Sequence, residues 1–590
     1  MAHDLGALPT WKLDDLYTGP QSKALLRDLA ASDRDAARFE RTYKGKLAGL
    51  TGEDFGAAIA SYEHQSERLQ RIGSYAYLYF CRSVDDPEKG RFFQTMSERT
   101  NETSTRLLFF TLEINRIDDA VLERKLAHPA AGRYRPWLRD VRAFRPYQLD
   151  DGIEKILHEK SVAGAEAWTR LFDESVAQMR FDLGGQSLSE TEALDGLSSP
   201  DPARRREAGL ELGRVFGQNS RLFAHILNTL VKDKEIEDRW RGFKRPISSR
   251  NVANQVEDEV VDALVAAVRQ AYRRLAHRYY AMKARWLGGN QLDWWDRNAP
   301  LPEVDEDIFA WNDARNTVMD AYAAFSKDLA KVAQPFFDKG WIDAPVGPGK
   351  VGGAFAHPTV PSAHPYLLLN YQGRTRDVMT LAHELGHGVH QVLAAEQGPL
   401  MADTPLTLAE TASVFGEQLT FRSLLVREKD RARRRILLAG KVEDMLNTVV
   451  RQIAFLEFET RVHAERRKGE LTVDRLSEIW FAIQGESLGP ALRFDASYAN
   501  FWCYISHFVH SPFYVYAYAF GDCLVNALYA RYEEQPRGFQ ARYMDLLRAG
   551  GTKRHGELLA PFGLDASDPR FWAKGLGVIA RTIDELAALS

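Results

Sequence analysis

His383-Glu384-Leu385-Gly386-His387 fits the pattern H-E-x-x-H, and the residues on either side decide what that pattern can do. Val378, Leu381, Ala382, Leu385, Val389 and Val392 recur at helical spacing, Thr375 stands where an N-cap belongs, and Asp377 falls in the first turn. The run is therefore expected on one amphipathic helix. There, histidines four residues apart lie roughly 40° apart around the axis, so both imidazoles can grip a single ion. Glu384 is offset by about 100°, which lets its carboxylate approach water at the ion without becoming a ligand. Gly386 has no side chain, so a neighbouring backbone can pass close to the metal. His390, nearly two turns beyond His383, reads as a core histidine.

Three fixed letters in five also arise by chance, so the run needs support from elsewhere. Downstream, Glu410 lies in Thr407-Leu408-Ala409-Glu410-Thr411-Ala412-Ser413, after a loop that contains Pro399 and Pro405. It can be the third ligand of a catalytic zinc, which commonly takes three protein ligands, or the partner of Thr407 in a capping box. Ser413 and Glu417 share the helical face of Glu410, and either can orient a histidine ligand through its free ring nitrogen.

Upstream, Gly352-Gly353-Ala354-Phe355-Ala356 and Tyr366-Leu367-Leu368-Leu369-Asn370-Tyr371 are short apolar runs between Pro and Gly turns, expected to form a small sheet. Gly352, Gly353 and Ala354 would leave a strand edge bare, onto which an extended peptide can add; the alternative is that these glycines only shape a turn. Farther on, the 26 residues from Ala496 to Gly521 contain no Asp, Glu, Lys or Arg. Asn500, His507, His510 and Pro512 make membrane insertion costly, so the stretch is expected to be buried around a polar site. Its polar groups include His507, His510, Tyr514, Tyr516 and Tyr518. A phenol or imidazole beside a metal can donate to the oxyanion that forms when water attacks an amide carbonyl, although packing is the plainer reading of any single tyrosine.

With 590 residues and 45% apolar content the chain can bury a large core, and it is neither a small disulfide-stapled module nor a disordered tail. Lys+Arg 77 against Asp+Glu 81 leaves a net charge of −4, so no basic field exists for nucleic acid or an anionic membrane, and neither partner is expected. Cys81, Cys503 and Cys523 lack C-x-x-C spacing and fit core thiols of a reducing compartment. The sequence starts Met1-Ala2-His3-Asp4 with no apolar signal region, so the cytoplasm is expected.

Helical periodicity dominates the rest. Leu264, Val268, Ala271, Leu275, Tyr279, Met282 and Trp286 read as one long helix; Val442, Leu446, Val449, Ile453 and Leu456 read as another, stopping near Lys468-Gly469. The polar stretch Ser187 to Arg206 marks a boundary between a helical N-terminal lobe, 1–195, and a catalytic region, 196–590. A rival motif, Gly485-Glu486-Ser487-Leu488-Gly489, fits the G-x-S-x-G elbow of serine hydrolases, which needs a strand before the serine. Leu476, Ile479, Trp480 and Ile483 give helix spacing there instead. A serine hydrolase acting through Ser487 and a peptide-binding scaffold without turnover are the readings from other classes, and the residues disfavour both.

Several motifs occur in a specific order: Pro9-Thr10-Trp11-Lys12-Leu13-Asp14-Asp15-Leu16-Tyr17, Gly352-Gly353-Ala354-Phe355, Leu369-Asn370-Tyr371, and Asp377-Val378 leading into the H-E-x-x-H run. They continue with Ala409-Glu410-Thr411-Ala412-Ser413, then Arg451-Gln452 with Phe455 and Phe458-Glu459, then Pro512-Phe513-Tyr514-Val515-Tyr516. In these the chain resembles the oligoendopeptidase F branch of the M3 metallopeptidases, relatives of thimet oligopeptidase, over most of its length. The resemblance implies a mainly α fold, a large helical shell around a deep channel with one small β-sheet next to the zinc helix. It implies one zinc per chain, held by His383, His387 and Glu410, with Glu384 as catalytic base and short oligopeptides cut at internal bonds. A dipeptidyl carboxypeptidase of the same family is the runner-up. It also implies a histidine and tyrosines facing the scissile carbonyl, which points to His507 and to one or more of Tyr514, Tyr516 and Tyr518. Of these, Tyr514 and Tyr518 are taken as catalytic and Tyr516, with His510, as substrate-binding. Side-chain preference and oligomeric state do not follow from the sequence.

Overall fold

Helical periodicity carries through to a computed structural model that describes residues 4–161, 163–301, 308–347 and 349–589, and the fold is mainly α. Two compact units emerge, each assembled from three segments. The first takes Met1–Arg145, Glu306–Arg427 and Arg531–Leu564; the second takes Pro146–Asp305, Glu428–Ala530 and Asp565–Ser590. Composition placed a single boundary at 195/196, whereas these units interleave along the chain. The reason is that burial pairs remote helices: in the second unit, Pro569–Ala587 packs on both Asp258–Ala271 and Arg431–Leu446.

In the first unit a three-stranded sheet comprises β1 (Ile342–Asp343), β2 (Phe355–His357) and β3 (Tyr366–Leu368), with β3 central, parallel to β1 and antiparallel to β2. Every residue of β3 is buried, so an apolar run suffices to specify it. β2 is an edge strand, as expected, but Gly352 and Gly353 are not on it. They form the bend before it, and Gly353 has φ +74°, a left-handed conformation that glycine adopts without steric cost. Two side chains hold this bend. Lys350, buried in a 2.7 Å ion pair with Asp343, also donates to the carbonyls of Pro345 and Leu369. The Asn370 amide donates to the carbonyls of Val351 and Gly353 at 2.9 and 2.8 Å.

After the sheet come α1 (Thr375–Ala394), α2 (Leu406–Ala409) and α3 (Ser413–Arg427). The N-cap of α1 is Arg374, one residue before the expected Thr375. The Asp377 carboxylate accepts from the amides of Gln372 and Arg374 at 2.9 and 3.0 Å, which satisfies the start of the helix from within its first turn. Val378, Leu381, Ala382, Leu385 and Val389 are buried, leaving the histidine face partly open. Tyr322, on helix Trp311–Phe325, donates to the Ala382 carbonyl at 2.7 Å and is admitted by Gly416 on α3, where a Cβ would lie 2.1 Å from the phenol oxygen.

In the second unit, each of the two helices read as continuous contains a π turn. Arg273–His277 joins Asp258–Ala271 to Arg278–Trp286, and Asn447–Arg451 joins Arg431–Leu446 to Gln452–Arg466. A π turn inserts a residue without ending the helix, so the apolar face stays buried. Two further small ladders exceed the one sheet expected: the hairpin Phe181–Leu183 with Gln186–Leu188, and the parallel pair Leu292–Asp293 with Leu492–Arg493. Ser487 lies in the last turn of helix Val473–Leu488, fully buried, with its hydroxyl donating to the Gln484 carbonyl at 3.3 Å. That is no nucleophile elbow.

The charge-free stretch breaks into the short turns Ala496–Tyr498, Phe501–Tyr504 and His507–His510 before helix Tyr516–Glu534. It is not wholly buried, since Ser506 and His510 are exposed. Among the described residues no helix is long and apolar enough to cross a membrane. Cys81, Cys503 and Cys523 are buried free thiols.

Phe513 adopts φ +60°, unusual for a side chain of its size, while its amide donates to Glu459 Oε1 at 2.7 Å. Burial raises the Glu459 carboxyl from 4.5 to about 8, against the opposing pull of that amide and of the charges on Arg250 and Lys234. The folded chain then keeps a proton that the unfolded chain releases above its ordinary carboxylate range. Glu459's contribution is therefore full at low pH and is lost as pH rises toward about 8. Glu459→Gln retains an acceptor and cannot titrate. We expect its stability to fall less steeply than wild type's between about pH 5 and about pH 8, by up to ~1.4 kcal/mol per pH unit. Denaturant unfolding of both proteins across that range checks this, and parallel curves would refute it.

Candidate metal and catalytic site

Three ligand atoms, one each from His383, His387 and Glu410, lie within 4.8 Å of one another in the first unit. Glu410 Oε2 is 3.4 Å from His383 Nε2 and 3.5 Å from His387 Nε2, and the two rings meet at 80° with centroids 4.9 Å apart. All three side chains keep 20–27% exposure, so the cluster opens to solvent on one side. Glu410 occupies the junction after α2, at φ −78° and ψ 0°, and the N-cap of α2 is Pro405 rather than Thr407. The capping-box alternative therefore fails on geometry.

Each member of the cluster is held by a neighbour. His383 Nδ1 is 3.3 Å from Glu417 Oε2, as expected of an orienting carboxylate. The Ser413 hydroxyl donates to Glu410 Oε2 at 2.6 Å, so Ser413 positions the glutamate and not, as expected, a histidine. His387 bonds the Ala409 carbonyl through its ring. Gly386 explains how the segments come this close: a Cβ there would stand 2.4 Å from the Ala412 carbonyl oxygen and 2.6 Å from Ser413 Cα. Backbone cannot yield as a flexible side-chain end does. Gly386→Ala is expected to cost about 1–3 kcal/mol of stability and to weaken metal retention by pushing Glu410 away, measurable by thermal melting and metal content. A variant with wild-type Tm and metal content would contradict the close approach.

Glu384 is buried, and its carboxylate accepts the Ala356 amide of β2. Burial raises its pKa to about 7, with Glu410 adding to the rise and His383 and the Ala356 amide opposing it. That value suits a group that must take and return a proton near neutrality. At His383, burial disfavours the charged ring, but the Glu417 hydrogen bond and the charges of Glu410, Glu384 and Glu417 outweigh it and bring the pKa to about 9. His387 moves the other way, to about 4, through burial reinforced by His383. His390 is a buried neutral histidine bonded to the Ala409 carbonyl, the core role read from its position.

In the second unit His507, Tyr514 and Tyr518 form an aromatic trio with centroids 6.0, 5.9 and 5.3 Å apart, and His507 Nε2 is 3.4 Å from the Tyr518 hydroxyl. All three are partly exposed. Tyr516 is not among them. It is fully buried, its hydroxyl accepting from the Asn254 amide at 2.9 Å, which makes it a core residue and not a peptide contact. His510 is exposed and engaged with Asp173 at 2.7 Å. Sequence reasoning assigned no role to Arg451, which ends the π turn Asn447–Arg451 and donates to the Tyr504 hydroxyl at 2.7 Å. A lone cation closing the apolar run Val449-Val450 was the available signal.

Two family models match the chain: Peptidase family M3 over residues 197–578 and Oligopeptidase F over residues 113–181. The oligopeptidase PepF of Bacillus subtilis is 24% identical over 599 residues, covering 99% of this chain and 88% of that protein. An oligoendopeptidase F homolog of Lactococcus lactis is 28% identical over 395 residues, covering 67% of this chain and 65% of that one. The crystal structure of oligoendopeptidase-F from Enterococcus faecium superposes with a TM-score of 0.71 at 21% identity, covering 96% of this chain and 99% of that one. A Chlamydophila abortus protein superposes with a TM-score of 0.87 at 22% identity, covering 98% of both chains. Because the first family model spans more than half of the residues and includes the H-E-x-x-H helix, the chain belongs to peptidase family M3.

Proposed function

We propose that this peptidase is a zinc-dependent endopeptidase of short oligopeptides that works in the cytoplasm. The observation that carries the reading is the convergence of His383, His387 and Glu410 within 4.8 Å, with Glu384 beside them on the same helix. The donor set fits zinc: two imidazole nitrogens and one carboxylate oxygen, each fixed by a hydrogen-bond partner, form a recurrent three-ligand catalytic arrangement with a position left open. When bound, zinc would supply Lewis acidity, bringing the pKa of water to about 7 and polarising the scissile carbonyl. Glu384 takes the proton of the attacking water and returns it to the leaving amine nitrogen. The family resemblance alone assigns His507, with Tyr514 or Tyr518, as donors of hydrogen bonds to the developing oxyanion. Ala354 and β2 offer the edge along which an extended peptide pairs, the Gly352–Gly353 bend setting where that edge begins. Recognition through backbone tolerates many side chains. Three buried free thiols accord with a reducing compartment.

Glu417→Gln keeps the shape of the orienting group and removes its charge. It is expected to raise the zinc Kd by about 10–100-fold, checked by competition with a chromophoric chelator, while leaving the fold intact. The proposal as a whole is tested by mass spectrometry of products from a mixed peptide library. Cuts at internal bonds support it; release of C-terminal dipeptides alone would assign the dipeptidyl carboxypeptidase activity instead, and no hydrolysis by metal-loaded protein would leave a scaffold.

A further inference from the structure

One peptide bond of the second unit is gripped at both ends. The Pro512 carbonyl accepts from Arg250 Nε at 3.2 Å, and on the opposite edge of the same planar group the Phe513 amide donates to the buried Glu459 at 2.7 Å. Arg250 belongs to the short helix Ser248–Ala253 and Glu459 to helix Gln452–Arg466, so two elements remote in sequence meet on a single peptide plane.

A plane held in this way cannot turn over, and Phe513 bears the consequence. Turning it would change ψ of Pro512 and φ of Phe513 together, and would release Phe513 from φ +60°, a conformation unfavourable for a bulky L-residue. Such strain persists only where the surroundings over-determine it, and it clusters at functional sites. Here the surroundings do so: besides the two hydrogen bonds, the Phe513 ring is buried against His463 with centroids 4.6 Å apart. What the strained turn carries is Tyr514. The Arg250 guanidinium lies 5.9 Å from the Tyr514 ring centroid and has no carboxylate at ion-pair distance among the described residues. Two residues on, Tyr516 is anchored by Asn254, at the end of the same short helix as Arg250. Tyr514 thus lies between two points fixed by one helix. Its ring stacks on His507 at 22° with centroids 6.0 Å apart. Its hydroxyl makes no hydrogen bond to a described residue, whereas that of Tyr518 is 3.4 Å from His507 Nε2.

We propose that Arg250 and Glu459 are positioning residues: by fixing the Pro512–Phe513 plane they hold the Tyr514 ring against His507, with its phenol free to donate to the developing oxyanion. This rests on the peptidase reading above and narrows its tyrosine to Tyr514. Tyr518 needs no such device, being carried on helix Tyr516–Glu534. Release of the plane would let Phe513 relax to a negative φ and swing Tyr514 away. The clamp therefore acts on the chemical step and leaves peptide binding alone.

The test is a double-mutant cycle on kcat. Tyr514→Phe should lower kcat by about 10²–10³-fold, the usual loss of one oxyanion donor, with little change in KM. Arg250→Met loses the donor at a partly exposed position and is expected to fold. It should lower kcat by up to about 10²-fold, the effect of a misplacement of about 1 Å. Arg250→Lys and Glu459→Gln, which can still hold the carbonyl and the amide, should keep most of the activity. Added to Tyr514→Phe, Arg250→Met should bring no further loss. A readout that needs no turnover is the fluorine resonance of a fluorotyrosine placed at position 514 alone, which should move in Arg250→Met and return in Arg250→Lys. Losses that multiply in the double variant, or an unmoved resonance in folded Arg250→Met, would overturn the clamp and leave the peptidase reading intact. So would wild-type kcat in Tyr514→Phe. A moved resonance in metal-loaded protein that hydrolyses no peptide would uphold the hold on Tyr514 and sink the peptidase reading instead.

Discussion

Glu384→Gln is expected to lower kcat by about 10²–10⁴-fold while the protein keeps its metal and its melting temperature. The reasoning is local. Glu384 sits beside His383 but one helical step off the ligand face, so its carboxylate belongs to no pair in the His383–His387–Glu410 cluster. Glutamine preserves its size and still accepts the Ala356 amide, so β2 and α1 should keep their contact. What is lost is a base whose pKa burial has placed near 7. Steady-state kinetics with metal analysis on the same preparation decides the matter. Loss of metal together with activity would recast Glu384 as a structural support, and wild-type turnover would remove it from the mechanism.

His387→Ala should produce the complementary result, with the metal leaving and activity falling to background. An orienting partner alone is worth about 10–100-fold in metal affinity, and a direct ligand should be worth at least that. Only His383 and Glu410 would remain, too few to close the recurrent three-ligand set. The fold should survive, because His387 is partly exposed and the face of α1 that packs is made by Val378, Leu381, Leu385 and Val389. Atomic emission after gel filtration, with circular dichroism as the control for folding, checks it. Full metal occupancy in a folded His387→Ala protein would contradict the ligand assignment. Together the two variants separate the proton's path from the metal's seat.

How much of this was readable in advance depends on how local the physics is. The H-E-x-x-H helix was legible because an apolar stripe and a four-residue spacing fix both its conformation and the facing of its histidines. Glu410 was legible only as an option, since a capping box and a ligand share one sequence, and the choice is made by where the Ala412–Ser413 backbone passes Gly386. Tyr516 went astray because alternate tyrosines in an uncharged run look alike until packing chooses; here Asn254, remote in sequence, takes its hydroxyl. The bend at Gly353 and the helix cap at Arg374 were missed by a residue or two, the usual uncertainty where backbone hydrogen bonds and turn geometry, not side-chain pattern, set an end.

The π turns were not written in the sequence: the steps of four and three through Ala271, Leu275 and Tyr279, and through Val442, Leu446, Val449 and Ile453, fit an uninterrupted helix. The hairpin at Phe181–Leu188 was missed: Gly184-Gly185, with φ values of +64° and +77° that suit a tight two-residue turn, was the available signal, but its strands are too short to show alternation. The pairing of helices into interleaved units was not readable at all, because it depends on contacts between segments hundreds of residues apart.

The most direct test of the central claim is the metal itself, measured in the purified wild-type chain against activity on one short peptide. We expect about one zinc per chain, with hydrolysis lost in proportion as a chelator removes it and regained as zinc is returned. Full hydrolysis by protein shown to be free of metal would contradict it.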